Sequence, residues 1–383
     1  MSTSLHSAPG GGALASESSL EKPSTAIWWW SAIGAFFVSL QTYIFYQWWA
    51  SGDMKQVPYG ETPVPQWMDI LHLTNSAFWA MAIIATFVFF IARPYVKTGK
   101  LTFDAIFILA FTSIWWQDAL PNYNNMPFAY GITRFNLGSW SCHIPGWKSP
   151  GGCLLAEPLF WDFSFYFVLS ALTTIFGAKF MKNMKAKNPE MRTSVVFLKF
   201  ILLIMIGDFL VEFTWVWMGL YHYGGVPNHL AIFTDTRLKF PIFEPILIGF
   251  LFGVWGAIYY FRNDKGETLV ERGLDQVKAS AGEKQWLRFF ALSGAINVSF
   301  FVMFSAPHII INLQADAWPK AIQEVSHFTH GMCGDGTPYA CGGENIAQPR
   351  REAAGISPDG TLFVPEGVEM PTVIPHRTKP IDY

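Results

Sequence analysis

Seven stretches of this chain carry almost no charge: 27–49, 70–92, 103–116, 159–178, 194–220, 242–261 and 286–304. Most are close to the length of about 20 apolar residues that a helix needs to cross a bilayer. The third is extended by Gln117 and Asp118. The expected fold is therefore all-α, a polytopic transmembrane helical bundle of about seven spans. Charged residues make up 14% of the chain, against about 25% in soluble domains, so the deficit supports the same reading. A net charge of −2 gives no reason to expect nucleic acid as a partner. The lipid bilayer is the expected one, and the oligomeric state cannot be read.

Residues 1–25 are rich in Ser, Gly, Ala and Pro and read as a disordered tail. They lack the basic start and cleavage site of a secretory signal. The bundle is expected over 26–310. Within it, 117–158 is a long, aromatic loop expected to pack as an ordered cap between the third and fourth helices. Segment 262–285 reads as an amphipathic helix on the inner surface, with Glu271 and Arg272 solvated or lipid-facing. Residues 311–383 are expected to form an outer, partly disordered tail. The loops after the second, fourth and sixth helices hold 14 Lys and Arg, against 5 in the loops after the first, third and fifth. By the positive-inside rule the N-terminus lies inside and the C-terminus outside, in the cytoplasmic membrane of a bacterium.

All four cysteines, Cys142, Cys153, Cys333 and Cys341, fall on the expected outer side, where disulfides are permitted. The simplest pairing joins Cys142 to Cys153 and Cys333 to Cys341, with four free thiols as the alternative. His143, His327 and His330 are the only histidines close to them in sequence. No tight ligand spacing appears, so no metal is expected, and no cofactor motif is present.

The chemistry is expected where acids enter the apolar runs. Asp208 and Glu212 lie in the fifth run and share a helix face at four-residue spacing. Carboxylic acids at membrane depth cost roughly 2.5–3.5 kcal/mol each on insertion scales and usually face a bundle interior. A structural pair bonded to neighbouring helices is the bland alternative. Asp118 and Glu244 sit at the outer ends of the third and sixth helices. Glu157 and Asp162 lie at the start of the fourth, where acids also serve simply as helix caps. Asn75 and Asn297 read as bridges between helices. Together the acids suggest an outer pocket with aromatic walls, suited to a lipophilic small molecule carrying a few oxygens. A proton relay in a transporter and a binding protein for a reactive intermediate are the competing readings.

The chain resembles the AveC-like spirocyclase family, named for the spiroketal-forming protein of avermectin synthesis. The resemblance is carried by QDALPNY (117–123), FNLGSWSCHIPGW (135–147), EPL (157–159), Asp208 and Glu212 followed by GLYHY, FPIFE with Glu244, RNDKGETLVERGLDQVKA (262–279), ADAWP and MCGDGTPYAC. Cys142 departs from the family pattern, whereas Cys333 and Cys341 match its tail. The resemblance implies a membrane-bound cyclase, and the namesake closes a dihydroxyketone polyketide to a spiroketal and then dehydrates it.

On this expectation Asp208, Glu212, Asp118 and Glu244 are the catalytic acids and bases. His143, Tyr123, Asn122, Asn136, Trp140, Trp215 and Glu157 contact the substrate, with Trp215 or Trp140 facing an oxocarbenium ion. Substrate does not follow from family membership.

Overall fold

The structure is a computed structural model. It describes residues 25–329, apart from 61, 125, 133–134, 148–152, 154 and 317, together with two paired dipeptide strands at 355–356 and 362–363. All seven apolar runs are helical: α1 Ala26–Ser51, α2 Gln66–Thr98, α3 Phe103–Phe111, α4 Leu159–Lys187, α5 Thr193–Met218, α6 Glu244–Tyr260 and α7 Ala281–Gln314. α3 continues as a tighter 3₁₀ segment, Thr112–Gln117. α2, α4, α5 and α7 are long and apolar enough to cross a membrane. α6 is apolar but only 17 residues long. The chain is mostly helical and has the long apolar helices of a membrane protein.

Helix ends follow local chemistry. α7 starts at a reciprocal capping box, in which Ser280 Oγ accepts from Glu283 N–H and Glu283 accepts from Ser280 N–H. α5 stops at Gly219, whose φ of 74° is left-handed and turns the chain back over the helix end. Three helices carry a π-helical turn: Phe87–Ala92 in α2, Phe165–Ser170 in α4 and Phe301–Ser305 in α7.

α1 packs along α7, and small residues set how closely. A Cβ at Gly34 would lie 1.8 Å from the Phe290 carbonyl oxygen, and one at Gly294 would lie 2.4 Å from that of Trp30. The two backbones touch, as small-residue helix pairs in membranes do. Ser31 Oγ donates to the Leu287 carbonyl across the same seam at 2.9 Å. Deeper in the core, Asn297 Oδ1 accepts from Trp116 Nε1 at 3.2 Å and Gln117 Nε2 at 2.9 Å, while its Nδ2 donates to Ser113 Oγ at 2.8 Å. Asn297 thus joins α7 to the end of α3. Asn75 instead accepts from Trp79, four residues along its own helix. One face of α5 is apolar and open. Leu202, Leu203, Ile206 and Leu210 of α5 are exposed, a face suited to hydrocarbon.

Segment 262–285 differs from expectation. It folds as a compact loop of turns, and helix begins only at Ala281. Asn263 and Gly266 close a tight turn that pairs Arg262 with Thr268. Thr268 then caps a 3₁₀ turn through Glu271. Glu271 is 0% exposed, accepts from Thr268 N–H at 2.9 Å and pairs with Arg288 of α7. It is an internal tie, not a solvated charge. The Arg272 carbonyl accepts from Ile27 N–H at the start of α1.

The described residues of segment 118–158 are held by short strands. Asn136–Gly138 pairs antiparallel with Ala156–Pro158, and Ala129–Tyr130 pairs with Tyr221–His222. Tyr123, Phe128, Tyr130 and Trp140 are buried. Cys142 and Cys153 form a disulfide with Cα atoms 5.5 Å apart. Cys333 and Cys341 lie outside the described residues.

Candidate active site: two sets of buried acids

The first set gathers at the end of α3. Asp118 follows the 3₁₀ segment directly, Glu157 stands in the strand opposite Leu137, and Asp162 lies in the first turn of α4. The strand pairing delivers Glu157 to the helix ends. The carboxylates have oxygens within 4.8 Å of one another, and each residue is at most 5% exposed. Among the described residues no Lys or Arg forms an ion pair with them.

Neutral donors fill the gap. Tyr166 donates to Asp118 Oδ1 at 2.6 Å, and Asn122 to Oδ2 at 3.0 Å. Tyr130 OH lies 3.0 Å from Asp118 Oδ2 and 3.2 Å from Asp162 Oδ1, so one hydroxyl joins both acids. Trp115 Nε1 donates to Asp162, and Ser139 to Glu157 Oε1 at 2.8 Å. Glu157 Oε2 is buried without a hydrogen bond. Burial pushes Asp118 up to about 6, against the opposing pull of its tyrosine and Asn122 donors. Burial, then the charges of Asp162 and Asp118, pushes Glu157 well up. Burial of this kind favours the protonated form of a carboxylic acid.

The second set lies between α5, α6 and α7. Glu212 is buried and takes the Tyr223 hydroxyl at 2.6 Å. Asp208 sits one turn below it, with Oδ2 buried and unbonded. Glu244 opens α6, and His308 Nε2 of α7 lies 2.6 Å from its Oε2, an ion-pair distance without the alignment of a hydrogen bond. Asp208, Glu212 and Glu244 are within electrostatic reach of one another.

A layer of rings separates the two sets. The Tyr221 ring is 6.4 Å from Tyr130, 5.5 Å from Trp161 and 5.6 Å from Tyr223. Phe128 fills in against both Tyr130 and Tyr221. The four acids expected around one pocket are thus divided. Asp208, Glu212 and Glu244 stay together, while Asp118 joins Glu157 and Asp162.

The other expected contacts are also dispersed. Asn122 bonds Asp118, and Tyr123 is buried with its hydroxyl on the Ala156 carbonyl. Trp215 lies against Trp161 and Tyr221, between the sets. Asn136 is committed to Val57 N–H, and Trp140 is buried with its Nε1 on the Trp116 carbonyl. His143 stands apart, 2.9 Å from Asp53 beyond the end of α1.

Sequence reasoning read Asp162 as a helix cap and gave no role at the site to Tyr130, Tyr166, Tyr223 and His308. Asp162 and Tyr166 share a face of α4 at four-residue spacing, a signal present in the sequence. Tyr130 and His308 carried none, because strand pairing and a helix crossing bring them in.

Beside α5, Leu172, Phe176, Phe180, Leu203 and Ile204 line an apolar groove of about 450 Å³ between α4 and α5. Ile204, part of its lining, is one turn along α5 from Asp208.

The family model described as spirocyclase AveC-like matches residues 99–328, a span that contains every acid of both sets. Comparison with curated proteins and with solved structures gives no match.

Proposed function

The chain belongs to the AveC-like spirocyclase family, and from that premise we propose a membrane-embedded cyclase that closes a lipophilic hydroxy-ketone, such as a polyketide, to a spiroketal. The observation that carries the reading is Asp208 Oδ2, buried and unbonded one turn below a carboxylate already held by Tyr223. One acid of the pair is free to meet a substrate, and the other is fixed.

In this reading the first substrate hydroxyl adds to the ketone to give a hemiketal. Asp208 in its acid form gives a proton to the hemiketal hydroxyl, which leaves as water. Glu212, oriented by Tyr223, faces the oxocarbenium ion as a carboxylate. The second hydroxyl attacks, and Glu244, beside His308, accepts its proton. The proton balance closes, since one proton is given and one taken. Any dehydration follows as a separate acid–base step at the same carboxylates.

The aromatic layer keeps Asp118 off this substrate. In place of the direct base role expected from sequence, Asp118, Glu157 and Asp162 hold protons behind Tyr221. The bundle has seven spans in this reading, with the N-terminus inside and segment 117–158 as the outer cap. The substrate arrives from the bilayer through the groove between α4 and α5.

The test is turnover of a dihydroxyketone in nanodiscs. Asp208→Asn and Glu212→Gln are expected to lose about 10²–10⁴-fold, the usual worth of a general acid or base. Wild-type turnover in both variants refutes the assignment. Loss in Asp118→Asn and Glu157→Gln alone moves the chemistry to the other set.

A further inference from the structure

The His143 side chain, left aside by the proposed reaction, sits in a second constellation. Asp53 lies two residues beyond the end of α1, His143 closes the 3₁₀ turn Ser141–His143, and Cys142 and Cys153 flank the same point. One donor atom from each of the four residues lies within 4.8 Å of all the others. His143 Nε2 is 2.9 Å from Asp53 Oδ2. Cys153 Sγ is 3.8 Å from His143 Nε2 and 3.5 Å from Asp53 Oδ2. Ser51 Oγ also touches the pair, at 3.2 Å from Nε2 and 2.9 Å from Oδ2.

Two sulfurs, one imidazole nitrogen and one carboxylate oxygen make a zinc donor set. With Zn–S of about 2.3 Å and Zn–N or Zn–O of about 2.1 Å, a tetrahedral centre has S···N and S···O edges of about 3.6 Å and an N···O edge of about 3.4 Å. The two observed sulfur edges are within about 0.2 Å of those values, and the N···O edge is about 0.5 Å short of its value. The sulfurs, however, are joined to each other. We propose that Cys142, Cys153, His143 and Asp53 form a zinc site that exists only when the disulfide is reduced. Disulfide and zinc exclude each other because they use the same two sulfurs.

The interconversion balances with a dithiol or glutathione-type thiol as reductant. Two electrons and two protons convert the bridge to two thiols, and the reductant becomes a disulfide. Zinc then displaces the two thiol protons to solvent, leaving two thiolates, a carboxylate and a neutral imidazole on the metal.

The two states tie the chain differently. The disulfide joins positions only 11 residues apart. Zinc would add Asp53, and through it the end of α1, to the loop that carries Ser139 and Glu157. The site therefore links the redox state of the surroundings to how firmly that loop is held. The inference does not depend on the proposed reaction, because its readout is metal content.

The experiment uses the full chain in nanodiscs with any affinity tag removed. The protein is reduced with a phosphine, desalted without oxygen and given Zn²⁺ alone, and then Co²⁺ in a parallel sample. One zinc per chain is expected in the reduced protein and none in the oxidised protein. The cobalt form should show a thiolate-to-cobalt charge-transfer band. Cys153→Ser should abolish that band. Asp53→Asn should weaken zinc by at least about tenfold, the loss that even outer partners of a zinc ligand cause. Zinc retention equal to that of a Cys142→Ser/Cys153→Ser variant overturns the proposal, as does cobalt bound without the thiolate band.

Discussion

Arg288→Met tests what holds the buried loop against α7. In the wild type Glu271 is 0% exposed and has two polar partners, Arg288 and the Thr268 N–H. Removing the guanidinium leaves a carboxylate with one amide donor in a site closed to water. Breaking a buried pair from one side costs about 3–5 kcal/mol, mostly the penalty of the stranded charge. Glu271→Gln is milder. The amide oxygen still accepts from Thr268, and Arg288, with its side chain 24% exposed, can turn its charge outward. That loss should be about 1 kcal/mol, the net worth of a typical hydrogen bond. The double variant strands nothing and should be clearly more stable than Arg288→Met alone. The expected coupling is about 1.5–3 kcal/mol, within the range for residues in direct contact. The assay is a double-mutant cycle on chemical unfolding in mixed micelles. Arg288→Lys should recover only part of the loss, because it keeps the charge but not the planar fork. If the two single effects add to within about 0.5 kcal/mol, the pair is not coupled and the reasoning fails.

Other outcomes follow from the same packing. Gly34→Val places a branched side chain where even a Cβ would lie 1.8 Å from the Phe290 carbonyl. It should destabilise by at least about 3 kcal/mol, the upper end of overpacking, while Gly282→Val, where a Cβ meets nothing within 4 Å, should cost far less in the same thermal unfolding assay. Asn297→Leu leaves the Trp116 indole N–H without its acceptor and Gln117 Nε2 with only the residue 297 carbonyl at 3.3 Å, and should cost about 1–3 kcal/mol for the stranded indole, read by the same melt. Burial, with His72 nearby, pushes the His327 imidazole down to about 4. The unfolded chain takes up that proton near the usual 6.5 and the folded chain only near 4, so stability present above about pH 6.5 falls by roughly 3 kcal/mol as pH drops to 4. His327→Gln should flatten that slope in melts taken across this range.

Helix positions were legible because each apolar run is long and the charges lie between runs. The acids of α5 were equally legible, since Asp208 and Glu212 interrupt the most apolar helix. The company each acid keeps was not. Asp118 meets Glu157 because Asn136–Gly138 pairs with Ala156–Pro158, and two-residue and three-residue strands leave no periodicity to read. Glu244 meets His308 through a helix crossing between residues 64 positions apart. The loop before α7 was misread for a different reason. Its charges alternate like those of an amphipathic helix, yet Thr268 and Glu271 already form the Thr-x-x-Glu capping pattern. That signal sets a turn where the charge pattern suggested continuous helix. Burial of Glu271 then depended on Arg288, from an element further along the chain.

The wide turns in α2, α4 and α7 have a consequence for how such a chain varies over evolutionary time. A π turn accommodates one surplus residue in a helix, and these turns recur at functional sites. Tyr166 lies inside the one in α4 and reaches Asp118 from there. Losing a single residue from Phe165–Ser170 would rewind the turn and rotate one half of α4 by about 100° against the other. Asp162 and Tyr166 would then swing to new neighbours while the lower half of the helix stayed seated. A gain or loss of one codon at each of these points can therefore re-aim polar groups without dismantling the bundle.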